Sequence, residues 1–437
     1  MPGYQDNGGG RVRRPVTRRR SRRIALGAAC LLLAGCSMLR TRSEVERARG
    51  YGLISGRVES REGTRDVRVV LAGRTAQGVR LEGVAELGEL DDQFGFIAES
   101  GPELFLAAFV DRNGNDRYDE GEPVGFANEG RPLTVTPHGQ ILGVTIRLAP
   151  DNPYPESVPR AIDDPTVPRY GAIRFAVGEI VTLDDARFEP EVASDGMWEP
   201  LTTLTKTGAG IYFLEAYDPA KTPILFVHGI GGSPRDLGTL IASVDRTRYQ
   251  PWVLHYPSGF RLYRIARVAR QRLQELRADL GFERLVVVAH SMGGLVSRSI
   301  VAQLQESEET RDLVRLFVTF ASPLGGHDAA QWGLRFAPEP VPSWIDMAPG
   351  SEFLARIARP FDPPVPWYLF FGFRRGHNAF MPMSSDSVVS MKSQLPWWAQ
   401  QQAREMFGFD DDHMEILTDE VAIATFRRIL AEATESE

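Results

Sequence analysis

The chain has 437 residues, 43% hydrophobic and 24% charged, which is enough to bury a full core and to divide into two domains. Its formal net charge of -7 conceals an uneven distribution, because residues 1–35 carry eight arginines (Arg11, Arg13, Arg14, Arg18, Arg19, Arg20, Arg22 and Arg23) against the single acid Asp6. The remaining chain holds 42 basic against 56 acidic residues, a balance of -14 that argues against a nucleic-acid partner.

The arginines precede an apolar run over residues 24–33, too short to span a bilayer as a helix of about 20 residues. It ends in Leu33-Ala34-Gly35-Cys36, a small pair immediately before a cysteine. This segment resembles a bacterial lipoprotein signal, which implies export, cleavage before Cys36, lipid attachment to that thiol and a membrane partner through the anchor. Ser21-Arg22-Arg23 weakly resembles a twin-arginine signal. Ser37 after the cysteine resembles lipoproteins forwarded to the outer membrane of Gram-negative cells. Cys30 and Cys36 are the only cysteines, so the mature body has no disulfide and its stability rests on core burial.

Residues 36–50 are charged and aperiodic and read as a tether. Residues 51–149 hold short apolar runs such as Val67-Arg68-Val69-Val70-Leu71 and Leu104-Phe105-Leu106-Ala107-Ala108-Phe109-Val110, separated by Gly, Asp and Asn turns, the pattern of a small all-β sandwich. Within it, Asp111, Asn113, Asn115, Asp119 and Glu122 fall at positions one, three, five, nine and twelve of a calcium-loop spacing. Asp116 stands where such a loop has glycine, so a structural Ca2+ and a turn rich in side-chain-to-backbone hydrogen bonds are both open. Six prolines between residues 150 and 168 suggest a stiff, extended linker over 150–169.

Residues 170–437 form the second domain. Residues 171–220 read as strands. Beyond Lys221, buried strand segments at 224–227, 252–254, 285–288, 316–320 and 367–371 alternate with amphipathic stretches, which indicates an α/β fold with a doubly wound, mostly parallel sheet covered on both faces.

The strongest chemical signal is Leu285-Val286-Val287-Val288-Ala289-His290-Ser291-Met292-Gly293-Gly294-Leu295, a buried strand turning sharply into a helix at a serine. Such a turn strains the serine backbone and brings the residues two before and two after it close together, so both must be small, as Ala289 and Gly293 are. The hydroxyl is lifted to the carboxyl edge of the sheet, where the helix that follows points its first amides. Sixty residues earlier, Ile224-Leu225-Phe226-Val227-His228-Gly229-Ile230-Gly231-Gly232-Ser233-Pro234 runs a buried strand into a Gly-rich loop. A phosphate cradle is the wrong reading, because no Gly-Lys-Ser/Thr follows.

With these motifs, residues 222–425 resemble bacterial lipases and esterases of the α/β-hydrolase superfamily, near the branch of GPI inositol-deacylase-like proteins. The resemblance implies that the Gly-rich loop is an oxyanion loop, in which Met292 gives one amide and Ile230 or Gly231 the other; losing one such donor costs about 2.7 to 4 kcal/mol. It also implies the chain order Ser, acid, His. Of seven histidines, His327, His377 and His413 follow the serine, and His413 in Asp411-Asp412-His413-Met414 occupies the family position. Ser385-Asp386-Ser387-Val388-Val389 resembles the lipase acid loop, which makes Asp386 the orienting acid ahead of Asp346 and Asp328; Asp410, Asp411 and Asp412 should cap the last helix. Residues 327–366, with Trp332, Phe336 and Trp344, could be an apolar cap or ordinary core, and Trp397 and Trp398 could touch lipid or be buried.

The expected activity is hydrolysis of a carboxylic ester or lipid by Ser291, His413 and Asp386 through an acyl-enzyme, with no cofactor required. The alternatives are acyl transfer by the same residues and a non-catalytic envelope-binding protein that keeps the fold.

Overall fold

The computed structural model describes residues 40–46, 48–88, 92–162, 175–374 and 385–435. The signal segment 1–35, Cys36 and His377 lie outside them. Among the described residues, seven strands build the N-terminal domain: Tyr51–Glu59 (β1), Val67–Thr75 (β2), Gly78–Glu86 (β3), Gln93–Glu99 (β4), Glu103–Val110 (β5), Val124–Phe126 (β6) and Gln140–Arg147 (β7). They form a three-stranded sheet ordered β4-β1-β7 and a four-stranded sheet ordered β3-β2-β5-β6. Ile54, Phe94, Phe96 and Ile146 of the first pack on Val69, Leu71, Leu106 and Ala108 of the second, which makes the expected sandwich. Strand β3 is less apparent in sequence because it is an edge strand whose exposed positions carry Arg80 and an ion pair to Glu82.

The second domain contains, in order, Phe175–Ile180 (β8), Pro190–Trp198 (α1), Pro200–Thr207 (α2), Ala209–Phe213 (β9), Thr222–Val227 (β10), Tyr249–His255 (β11), Leu262–Leu280 (α3), Leu285–His290 (β12), Met292–Leu304 (α4), Val314–Phe320 (β13), Asp328–Phe336 (α5), Trp367–Gly372 (β14), Glu405–Phe409 (β15) and Glu420–Glu435 (α6), with shorter helical turns between. The strands form one eight-stranded sheet ordered β15-β14-β13-β12-β10-β11-β9-β8. Strands β10 to β15 are mutually parallel, while β9 runs antiparallel to β11. On one face, α3 and α4 pack Leu273, Leu276, Leu295 and Ile300 against Leu225, Leu254 and Val287. On the other, Phe426 and Ile429 of α6 cover Phe226, Val253, Val288 and Val318. Two covered faces explain the unbroken apolar runs of the central strands, since β11 and β12 are buried at every position.

Three sequence expectations change. Residues 171–220 are not all strand: Glu189-Pro190 and Glu199-Pro200 each start a helix, with the proline at the first helical position where its missing N–H costs nothing. The expected tether is helical over residues 40–46, and its buried Glu44 carboxylate accepts from the amides of Leu201 (2.9 Å) and Thr202 (3.0 Å) at the start of α2. The expected linker is packed chain over 150–162, where Tyr154, Val158 and Ile162 cover Val70, Phe105 and Phe109 on the outer face of the four-stranded sheet.

Candidate active site

The parallel register sets Val227 of β10 opposite Ala289 of β12, and His290 of β12 opposite Phe320 of β13. The strands therefore end level, and the loops leaving β10, β12, β13, β14 and β15 gather at one sheet edge, the carboxyl edge of parallel strands where α/β ligand sites form. Ser291 occupies the turn from β12 to α4 with φ 54° and ψ -130°, a left-handed conformation unusual for a side-chain-bearing residue. Its N–H donates to the Phe320 carbonyl at 2.8 Å, which pins the strained turn to the neighbouring strand. A methyl on Gly293 would lie 2.4 Å from the Val227 carbonyl and 2.5 Å from that of His228, so the turn closes only around glycine. Likewise a methyl on Gly229 would lie 2.9 Å from the Ser291 Cβ, which lets the Gly-rich loop approach the serine.

The Ser291 hydroxyl donates to His413 Nε2 at 2.9 Å, and His413 Nδ1–H donates to Asp386 Oδ2 at 2.7 Å. All three side chains are buried. The other carboxylate oxygen of Asp386 accepts from the amides of Val388 (2.9 Å) and Val389 (2.6 Å). The backbone closes the same assembly, because His413 N–H donates to the Asp386 carbonyl at 2.9 Å. Nucleophile, base and orienting acid thus meet from three loops, a geometry that activates a hydroxyl for attack on an acyl carbon.

Of the amides weighed from sequence, Gly231 N–H is taken by Ser258 Oγ at 2.8 Å. The amides of Ile230 and Met292 have no acceptor among the described residues. Ser258 lies 27 positions beyond Gly231, and nothing in the local pattern marks it.

Other site-supporting residues were equally hidden. His290 is buried beside His413, with ring centres 4.7 Å apart, and its Nε2–H donates to the His413 carbonyl at 2.9 Å; burial holds its pKa well below the usual range, so it positions the base as a neutral donor. Gln394 accepts from Gly372 N–H and donates to the carbonyls of Gly372 and Val389, tying the acid loop to the end of β14. In α4, the buried Arg298 donates to the carbonyls of Ile357 and Arg359 and lies 4.2 Å from the Phe361 ring centre, 4.7 Å from that of Trp367 and 4.8 Å from that of Trp398; burial pushes its pKa down to about 9.

His228 is a loop brace, stacked on Tyr256 at 4.2 Å with its pKa lowered by burial to about 4. His327 caps α5 by accepting from Ala329 N–H. Asp346 is engaged by Arg261 at 2.7 Å and by Leu262 N–H, and Asp328 lies in the first turn of α5, so neither competes with Asp386. Asp412 caps the short turn at Glu415–Leu417, whereas the first turn of α6 is capped by Asp419, not by the three aspartates expected there. Trp398 packs on Trp367 and Trp397 is exposed, while Trp332 and Phe336 stand exposed and stacked on α5.

The calcium-spaced loop is closed by side-chain-to-backbone hydrogen bonds. Asp111 accepts from the amides of Asn115 and Asp116, Glu122 accepts from those of Arg112 and Asp119, and the side-chain amides of Asn113 and Asn115 both donate to Asp119. Among the described residues no group of three or more His, Cys, Asp or Glu is arranged to hold a metal ion.

Residues 224–430 match the alpha/beta hydrolase family. The catalytic domain has the α/β-hydrolase fold. Solved structures similar to it include a lipase from Bacillus licheniformis, 19% identical, with 49% of this chain and 94% of that one covered and a TM-score of 0.39. A Listeria innocua protein is 15% identical, with 47% and 92% covered and a TM-score of 0.35. A carboxylesterase from the thaumarchaeon Nitrososphaera gargenis is 12% identical, with 53% and 98% covered and a TM-score of 0.37. No curated protein matches the sequence. The Ser291-His413-Asp386 arrangement within the α/β-hydrolase fold makes the chain a serine hydrolase.

Proposed function

We propose that the protein hydrolyses carboxylic esters of apolar acids through an acyl-enzyme. The observation that carries this reading is the Ser291 hydroxyl at 2.9 Å from His413 Nε2, and the amides of Ile230 and Met292, which have no acceptor among the described residues, support it. Ser291 Oγ attacks the ester carbonyl carbon while His413 Nε2 takes its proton, and the carbonyl oxygen, now negative, accepts from the amides of Met292 and Ile230. The carbon–alkoxide bond then breaks, and the alcohol leaves with the proton returned by His413. Water repeats the sequence on the acyl-enzyme and releases the acid.

Exposed Val388 and Met414, next but one to Asp386 and next to His413, support an apolar substrate at the rim. Placement near the GPI inositol-deacylase-like branch belongs to this proposal and rests on the sequence motifs of residues 222–425. A series of p-nitrophenyl esters tests it: kcat/KM should rise from acetate toward the longer chains. Loss of turnover as the chain lengthens would contradict an apolar acyl subsite.

We also propose export and lipid anchoring at Cys36, supported by Leu33-Ala34-Gly35-Cys36 after the apolar run. Among the described residues no helix is long and apolar enough to cross a membrane. Expressed in a bacterium, wild type should sediment with membranes and Cys36→Ser should not; equal sedimentation of both would rule the anchor out.

A further inference from the structure

A cavity of about 110 Å³, partly open to solvent, lies where the β-domain meets α3, and none of Ser291, Asp386 and His413 lines it. Its walls come from both domains: Leu53 of β1 and Ile97 of β4 face Leu204, Phe260 and Val268. A cavity of that size is too narrow for a drug-sized ligand but suits part of a slender one, and its apolar lining favours a hydrocarbon chain.

Four basic side chains, Arg264, Arg272, His138 and His255, share this lining. Arg272 pairs with Glu275 at 3.0 Å, and the cations beside the cavity are occupied too, Arg49 by Glu339 at 2.9 Å and Arg261 by Asp346 at 2.7 Å. The half-buried guanidinium of Arg264 has no hydrogen-bond or ion-pair partner among the described residues, although a guanidinium so placed is best satisfied by a planar anion. The same imbalance acts on His138, whose pKa is pushed down by burial and by the charges of Arg264, Arg49 and Arg261. The cavity therefore combines an apolar chamber with a guanidinium that no carboxylate among the described residues contacts directly.

We infer that this cavity binds a single-chain anionic amphiphile, a medium-chain fatty-acid carboxylate, with its chain among Leu53, Leu204 and Val268 and its carboxylate on Arg264. The site is separate from the triad, so it stands or falls independently of the proposed ester hydrolysis.

The test is calorimetric titration of the full chain with laurate after Ser291 has been blocked by a fluorophosphonate. Laurate should bind one to one, and decanoate should bind about tenfold more weakly, as expected for removing two buried methylenes. Arg264→Gln should weaken laurate at least tenfold and leave dodecanol binding unchanged. Val268→Trp, or Leu204→Trp if that variant does not fold, should abolish binding of both while the melting temperature without ligand is retained. Absence of laurate binding, or equal binding by wild type, Arg264→Gln and a folded tryptophan variant, would overturn the inference. Laurate binding in a chain that hydrolyses no ester would leave it standing and remove the proposed function instead.

Discussion

Replacing Ser291 by alanine lowers kcat for a p-nitrophenyl ester by about 10⁵- to 10⁶-fold, with KM nearly unchanged. The size follows from what the alanine leaves behind. His413 and Asp386 remain hydrogen-bonded to each other, and the amides of Ile230 and Met292 remain free, so residual turnover comes from water attacking an ester still polarised by those donors. Folding should not suffer, because the hydroxyl contributes one hydrogen bond and the turn is held by the Ser291 amide on Phe320 and by the close approach at Gly293, both of which alanine keeps. Steady-state kinetics beside a thermal melt checks this: a melting temperature within a few degrees of wild type and a rate loss below tenfold would assign the chemistry to another residue.

Asp386→Asn should lower kcat by about 10⁴-fold while conserving shape. The reason lies in how the carboxylate is used. One oxygen accepts from Val388 and Val389 amides and the other from His413 Nδ1–H. An asparagine must keep its carbonyl oxygen toward the two amides, which turns its NH₂ toward Nδ1. That nitrogen can then only accept, so the imidazole proton moves to Nε2, the atom that must take the proton of Ser291. The base is present in the wrong tautomer, and the imidazolium formed during attack loses its counter-charge. Asp386→Asn with more than a tenth of wild-type kcat at neutral pH would show that another group orients the imidazole.

The nucleophile was legible because its constraints are local: a continuous apolar strand, small residues two positions either side of Ser291, and a helix beginning at the next residue. His413 and Asp386 were legible through chain order and motif resemblance, and the hydrogen bonds that unite them span 122 and 27 positions. What stayed hidden depends on pairings that no local window contains. The choice between Ile230 and Gly231 turned on Ser258, and the backbone of His413 is held by His290, a residue whose neighbour drew all the attention. The same limit governs the misread segments. Glu44 sits among charges that look like a solvated tether, yet its carboxylate supplies acceptors to the first turn of α2 more than 150 residues away. Pro190 and Pro200 fall within residues read as strands, although a proline is equally at home as the first residue of a helix. Tyr154, Val158 and Ile162 are sparse among prolines, so their joint burial on the sandwich emerges only in three dimensions.

Intact-mass analysis after reaction with a fluorophosphonate gives the most direct check that Ser291 is an activated nucleophile. Wild type should gain a single adduct that peptide mapping places on Ser291, and Ser291→Ala should gain none. An adduct retained in Ser291→Ala, or wild type left unlabelled under conditions in which it turns over an ester, would contradict a reaction run by Ser291, His413 and Asp386.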